Sequence, residues 1–497
     1  MADSERVEAV DLSAIEICKE AAAVLGHEYA QRYTALPVKK TERILYVALH
    51  EPNDAETLAQ LADATGFFIA PLYADAADIR FYISQIYSAE AIHKIASQFV
   101  VEEKLQNRIT DPALLAALNA APAVRMIDSL IDSGIINRAS DLHIEPYGRR
   151  LRARYRVDGV LRTHGTVDIS LLPNVISRLK VMGGMDIAEK RLPQDGHFSM
   201  NITGEAVDFR LSTVPTIHGE KAVIRLLYGG NQRMSKTELG FADEDLLLLS
   251  RLFHQPYGAV IITGPTGSGK STTLSVFLEE LNQTGRNIVT VEDPVENPLP
   301  GVNHINVTQQ LGFADALKHI LRQDPDIIMV GEMRDEETAR IAVQAALTGH
   351  VVLTTLHTND AAGVIERLSD MGIEHYLTAA ALNGIISQRL VRRICPDCKT
   401  KTKLTAEQAN LLQLPTRKVV YTGTGCGRCR HTGYRGRFAV YEYVILTEPL
   451  RREMAQNPTG FANTVRDQRG LRINALKALT QGRTTAEELI SALHRDG

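Results

Sequence analysis

"GPTGSGKST", Gly264 to Thr272, fits the pattern G-x-x-x-x-G-K-[ST], and the rest of the chain is read outward from it. It directly follows the apolar run "AVIIT" (259–263) and leads into the helix-patterned "TLSVFLEEL" (273–281). Strand, loop and helix is the context such a loop requires. Its glycines let backbone N–H groups close on phosphate oxygens, and the helix N-terminus adds positive potential. Gly264, Pro265, Thr266, Gly267, Ser268, Gly269, Lys270, Ser271 and Thr272 are therefore read as a cradle for ATP. Lys270 is expected on the β- and γ-phosphates and the Ser271 hydroxyl on Mg²⁺.

Three further apolar runs each end in a residue able to do chemistry. "NIVTV" leads to Glu292 and Asp293, "DIIMV" to Gly331 and Glu332, and "HVVLTTL" to His357. Such runs between helical segments are the pattern of buried parallel strands. Ligands of such sheets bind at the carboxyl ends of the strands. The phosphate loop, Glu292, Asp293, Glu332 and His357 are thus expected along one edge. Glu332 and Glu292 are rival candidates for the base that activates water. The plainer reading of each acid is a solvated loop carboxylate. His357 is read as a γ-phosphate sensor, against an ordinary loop histidine. His350 starts the same strand, roughly 23 Å away at about 3.3 Å per residue, and is expected at the far edge. Gly331 stands where many such enzymes carry a metal-binding Asp.

Composition bounds the class. With 497 residues the chain has room for three or four domains. No apolar run approaches the roughly 18 residues of a membrane span, and "MADSERVEAVDLS" is too acidic and polar for a signal peptide. The expected location is cytoplasmic, with any membrane contact peripheral. The net charge of −4 argues against a constitutive nucleic-acid binder.

Five cysteines in so long a chain do not make a disulfide framework. Cys18 is left over, on an expected amphipathic helix. Cys395 and Cys398 form one C-x2-C, and Cys426 and Cys429 another, with 27 residues between the pairs. Four thiolates close a tetrahedral Zn²⁺ site with no open position, so a structural clip is expected. A redox C-x-x-C is the alternative for either pair alone.

Residues 1–101 read as a small α/β docking domain, followed by a helical linker at 102–122. A second α+β domain, 123–228, contains "RRLRARYRVDGVLRTHGTV". There Leu151, Ala153, Tyr155 and Val157 alternate with Arg150, Arg152, Arg154 and Arg156. Period two means a strand with one apolar and one basic face, and Asp158-Gly159 gives a hairpin turn. Arg210 and Arg225 lie on polar positions of later strands. A linker at 229–240, an ATPase core at 241–394, the cysteine element at 395–429 and a C-terminal subdomain at 430–497 complete the expected order.

"GPTGSGKST", "VTVEDPVE", "LRQDPDIIMVGEMRD" and "TGHVVLTTLHTNDA" resemble the Walker A, Asp box, Walker B and His box of the type II/type IV secretion ATPase superfamily. "ASDLHIEPYGRRLRARYRVDGVL" and "RLPQDGHF" resemble its second N-terminal domain. The paired C-x-x-C is similar to that of the secretion and pilus-assembly branch; retraction motors lack it. The resemblance implies an α/β fold: a RecA-like P-loop ATPase core after two α+β domains, with a four-cysteine zinc-binding insert and a helical C-terminal subdomain. It further implies a homohexamer with ATP between protomers, where Arg210 and Arg225 match arginines that reach the phosphates. Arg322, Arg334 and Arg340 are candidate interface partners.

The expected activity is ATP hydrolysis powering pseudopilus assembly in type II secretion. The implied partners are a bitopic inner-membrane recruiter and a polytopic platform protein. A pilus-assembly ATPase is the alternative in the same class. A nucleic-acid motor is the alternative from another, disfavoured by net charge and by the lack of aromatics between the arginines.

Overall fold

The computed structural model describes residues 9–12, 15, 17–83, 86–87, 112–202, 205–228, 234–467 and 470–493. Residues 102–111 of the first expected linker and 229–233 of the second lie outside them. The chain divides into two units, Met1–Gly229 with Cys426–His431, and Gly230–Gly425 with Thr432–Gly497.

In the first unit, β1 (Ala35–Lys40), β2 (Ile44–Leu49) and β3 (Phe68–Tyr73) form a sheet in that order. β1 and β2 are antiparallel, whereas β2 and β3 are parallel and therefore need a crossover. The helix Ala55–Thr65 supplies it: the Asp54 carboxylate accepts the N–H of Glu56 at its start, and Gly66 ends it in the left-handed region. Cys18, expected on a helix, is the extended residue just before the helix Lys19–Leu25.

The helix expected to open the second domain begins at Pro112 and runs to Ile136. After it, β4 (Asp141–Tyr147), β5 (Arg150–Val157), β6 (Val160–Asp168), β7 (Gln194–Ile202), β8 (Glu205–Thr216) and β9 (Gly219–Tyr228) form an antiparallel sheet in the order β6-β5-β4-β9-β8-β7. The alternation in β5 works as read: Leu151, Ala153 and Tyr155 are buried, and the arginines take the other face. The buried face packs with Leu130, Val175, Phe209 and Ile224. The turn places Asp158 and Gly159 at φ +49° and +86°.

The other face is not bare arginine. Buried Glu145 takes Arg152 at 3.0 Å, Arg154 at 2.8 Å and Lys221 at 3.1 Å. Asp141 takes Arg225 at 3.2 Å and Arg156 at 3.6 Å. Burial alone would raise the Glu145 carboxyl, but hydrogen bonds from Arg154, Lys221 and Arg152 outweigh it and hold it at about 2. Arg210 on β8 is the register partner of Arg225 on β9.

The second unit is built on a seven-stranded sheet. Its strands are β10 (Gly258–Thr263), β11 (Ile288–Glu292), β12 (Asn303–Asn306), β13 (Ile327–Val330), β14 (Val351–Leu356) and β15 (Leu382–Ile394), followed by β18 below. Between β15 and the last strand lies a separate two-stranded ribbon, β16 (Lys399–Lys403) and β17 (Val419–Gly423). β18 (Tyr434–Ile445) then returns to the main sheet, whose order is β12-β11-β13-β14-β10-β15-β18. The first six are parallel and β18 is antiparallel to β15. "GYRGRFAVYEYV" reads as a return to a strand before the closing helices, and this edge strand is Tyr434–Ile445. The cysteine element is thus a long excursion between two paired strands of the core.

Both faces of the sheet are covered, which is why its strands read as unbroken apolar runs. Ile261, Val291, Ile328 and Val352 face one cluster, which includes Phe461 and Val465 of the C-terminal helices. Val260, Ile262, Met329 and Leu353 face the other, where Phe253 and Phe277 stack with ring centroids 4.0 Å apart.

Candidate nucleotide-binding and hydrolysis site

The loop Gly264–Gly269 joins β10 to the helix Lys270–Leu281. Gly264 sits at φ +146°, and a Cβ there would lie 2.3 Å from the carbonyl oxygen of Gln388 on β15. Only glycine lets the loop lie that close to the neighbouring strand. Gln388 is fully buried and binds the loop a second way: its Nε2 donates to Ser268 O at 2.8 Å, while its Oε1 accepts from Thr273 Oγ1 at 3.0 Å. Ser271 stands exposed at the first turn of the helix.

Lys270 turns onto its own loop, donating to Gly264 O at 2.9 Å and Pro265 O at 3.3 Å. Burial lowers its pKa to about 8, with Glu332 acting in the opposite direction. Phosphate oxygens offered in this cradle would favour the charged form further.

The strand ends converge as the sequence requires. His357, just beyond β14, has Nδ1 3.5 Å from Lys270 Nζ and Nε2 3.5 Å from Glu332 Oε2. Burial and then the Lys270 charge lower the His357 pKa, against a smaller pull from Glu332. Arg334 pairs with Glu332 and also reaches Asp293 at 3.3 Å. Thr263 and Thr358 bind each other at 2.7 Å, and the N–H of Thr358 donates to Thr263 Oγ1 at 3.0 Å, fixing the segment after His357 against β10.

Glu292 is held separately, at the end of β11. Its Oε1 accepts from Thr290 Oγ1 at 2.7 Å and lies 2.9 Å from His304 Nδ1. Gly331 has a steric reason: a Cβ would lie 3.3 Å from Val291 O and 3.4 Å from Glu292 Cα, so glycine lets the ends of β13 and β11 meet.

Other candidates lie apart from this edge. His350 precedes β14 with Nδ1 3.1 Å from Ala345 O, at the opposite end of the strand. Arg322 donates to Lys318 O, and Arg340 pairs with Glu336 one turn away. Both side chains are engaged locally. Gln388, His304 and the Thr263–Thr358 pair carry no motif of their own; only strand pairing reveals them.

Cys395, Cys398, Cys426 and Cys429 bring their sulfurs within 4.8 Å of one another. Cys426 and Cys429 Sγ are 3.7 Å apart, close to the edge of about 3.8 Å that a tetrahedron with Zn–S near 2.3 Å requires. The N–H of Cys426 points at Cys429 Sγ at 3.1 Å, which suits a thiolate. No disulfide joins the cysteines, and the set Cys395, Cys398, Cys426 and Cys429 fits a zinc ion.

A phosphate loop on one strand of a parallel sheet, with a carboxylate and a histidine on adjacent strand ends, defines a RecA-like P-loop ATPase core. Residues 116–491 match the family described as Type II/IV secretion system protein, and residues 5–93 match the MshEN domain. The chain belongs to the Type II/IV secretion system protein family. It is 46% identical to the putative type II secretion system protein E of Escherichia coli K12, over 76% of this chain and 78% of that one. It is 38% identical to the type IV pilus assembly ATPase PilB of Myxococcus xanthus, over 97% of this chain and 88% of that one. Among solved structures, the pilus retraction motor PilT with bound ADP is 27% identical, with TM-score 0.51, over 73% of this chain and 95% of that one.

Proposed function

We propose that this chain is the ATP-hydrolysing motor of a type II protein secretion system, powering pseudopilus assembly for export of folded proteins across the outer membrane. The carrying observation is its 46% identity, over three quarters of the chain, with a protein named for that system. The chain is an ATPase, and the constellation of Lys270, Glu332 and His357 is intact.

In this reading Gly264–Thr272 wraps the ATP phosphates, with Lys270 on the β- and γ-oxygens. Ser271, with Glu332 and Asp293, would hold Mg²⁺, which would supply charge neutralisation on the phosphates. Glu292 takes the proton of the attacking water. His357 senses the γ-phosphate. Arg210 and Arg225 come from the second N-terminal domain to phosphates at a protomer boundary. The four cysteines would hold Zn²⁺, which would fix the 395–429 element. The working form is a homohexamer on the cytoplasmic face of the inner membrane. Residues 1–101 dock on a bitopic recruiter, and a polytopic platform protein receives the work. Among the described residues no helix is long and apolar enough to cross a membrane. In this reading attachment goes through those partners.

Replacing Lys270 by Ala in the chromosome tests the reading. Folded enzymes trapped in the periplasm with surface pili intact are expected. Lost pili with normal secretion would overturn it in favour of pilus assembly. That second reading has its own support, the match to the Myxococcus pilus assembly ATPase over 97% of this chain.

A further inference from the structure

β11 and β12 are parallel, with Thr290 opposite His304 and Glu292 opposite Asn306. This register sets the His304 ring beside two side chains of β11 at once. Nδ1 is 2.8 Å from Thr290 Oγ1 and 2.9 Å from Glu292 Oε1. The far nitrogen, Nε2, accepts the backbone N–H of Leu299 at 3.0 Å. A backbone N–H can only donate, so Nε2 carries no proton and Nδ1 is the protonated nitrogen. Thr290 Oγ1 already donates to Glu292 Oε1, so the ring's one Nδ1 proton is shared between these two oxygens and holds the carboxylate directly or through Thr290. The Thr290 residue is fully buried, and the His304 and Glu292 side chains are 12% and 15% exposed, so water competes weakly for these bonds.

We propose that His304 is a positioning residue for ATP hydrolysis: its Nδ1–H holds Oε1 of Glu292, leaving Oε2 for the attacking water. This rests on the reading of Glu292 as the base. In that step the water oxygen bonds to the γ-phosphorus as the bond to the bridging oxygen breaks. ADP leaves with that electron pair, and Glu292 takes the water proton. A carboxylate free to rotate would meet the water in the wrong geometry most of the time, and a misplacement of about 1 Å costs on the order of 100-fold. The Leu299 contact fixes the tautomer and ties the 293–302 loop to the same ring.

Two substitutions separate holding the carboxylate from holding the loop. Asn at 304 keeps a donor near the Nδ1 position and loses the far acceptor. Gln keeps an acceptor near Nε2 and loses the near donor. Steady-state Mg-ATP hydrolysis by the full-length protein is measured for H304N, H304Q and E292Q, with thermal unfolding alongside. H304Q is expected to lose 10- to 100-fold in kcat with KM within about twofold, and H304N to recover most of that loss. Equal losses in both, or a larger loss in H304N, would make the ring a loop anchor and overturn the proposal. Full turnover in E292Q would instead remove Glu292 as base, a distinct failure. If H304Q does not fold, the ring ¹⁵N shifts of the unmodified protein, assigned with H304N, decide. A protonated Nδ1 is expected, and a protonated Nε2 overturns the assignment.

Discussion

Gln388 Nε2 donates to the carbonyl of Ser268 at 2.8 Å, so a strand on the opposite side of β10 from the acidic residues holds the phosphate loop in shape. Replacing Gln388 by Leu leaves that carbonyl and Thr273 Oγ1 without their partner in a buried place, costing about 1–3 kcal/mol. That cost falls on folding; nucleotide affinity should fall roughly tenfold where about 1.4 kcal/mol of it goes into reshaping the loop on binding. Titration with a fluorescent ATP analogue measures it. Unchanged affinity would mean that the loop holds its own shape.

Lys270 links ATP binding to pH. Burial places its pKa at about 8 in the empty cradle, and phosphate oxygens favour the charged form. The bound state therefore keeps a proton that the empty state loses as pH rises through about 8. ATP affinity should fall above that pH, by up to about tenfold per pH unit, with proton uptake on binding. Calorimetry in buffers of different ionisation enthalpy reads the uptake; none at pH 8.5 counts against the assignment.

Glu332→Gln keeps size and removes charge. Because Glu332 faces His357 at 3.5 Å and pairs with Arg334, losing that charge should cut kcat at least about 100-fold while ATP still binds. A variant with near-normal turnover would return Glu332 to the class of solvated loop acids.

Glu145 holds three cations with its carboxyl at about 2, against an ordinary 4.5. A lowered folded-state value stabilises fully above the unfolded value, and the gain is lost as pH falls from 4.5 to 2. Glu145→Gln should therefore lower stability by about 2 kcal/mol at pH 7, with the gap from the unmodified protein closing towards pH 2. Denaturant unfolding at pH 7 and pH 3 tests both the size and the direction.

Elemental analysis should find one zinc per chain. Cys398→Ser should lose it and loosen the 395–429 element, raising protease cleavage there while ATP affinity changes little. Metal-free protein with unchanged protease resistance would remove zinc from the reading.

The parts legible in the sequence were those where one local rule acts alone. The phosphate loop carries its own spacing, β5 its period of two, and the cysteines their paired intervals. His304 and Gln388 were not legible because their work depends on the strand beside them, and no local pattern encodes which strands pair. The arginine face was legible as a face, but Glu145 was not. A single acid on an adjacent strand looks ordinary until the register sets it among Arg152, Arg154 and Lys221. β18 is legible as a strand, but its partner is not, for the same reason: it joins the sheet across the whole cysteine excursion.

β15 carries Gln388 in its middle and runs on to Ile394, one residue short of Cys395. It is hydrogen-bonded to β10 as far as Ser387 and to β18 from Gly384 to Ile394. At about 3.3 Å per residue, Gln388 and Cys395 are roughly 23 Å apart along a strand that cannot shorten without breaking its ladders. The cysteine pair and the grip on the phosphate loop thus share one continuous strand, so neither can be moved along the chain without changing the spacing of the other.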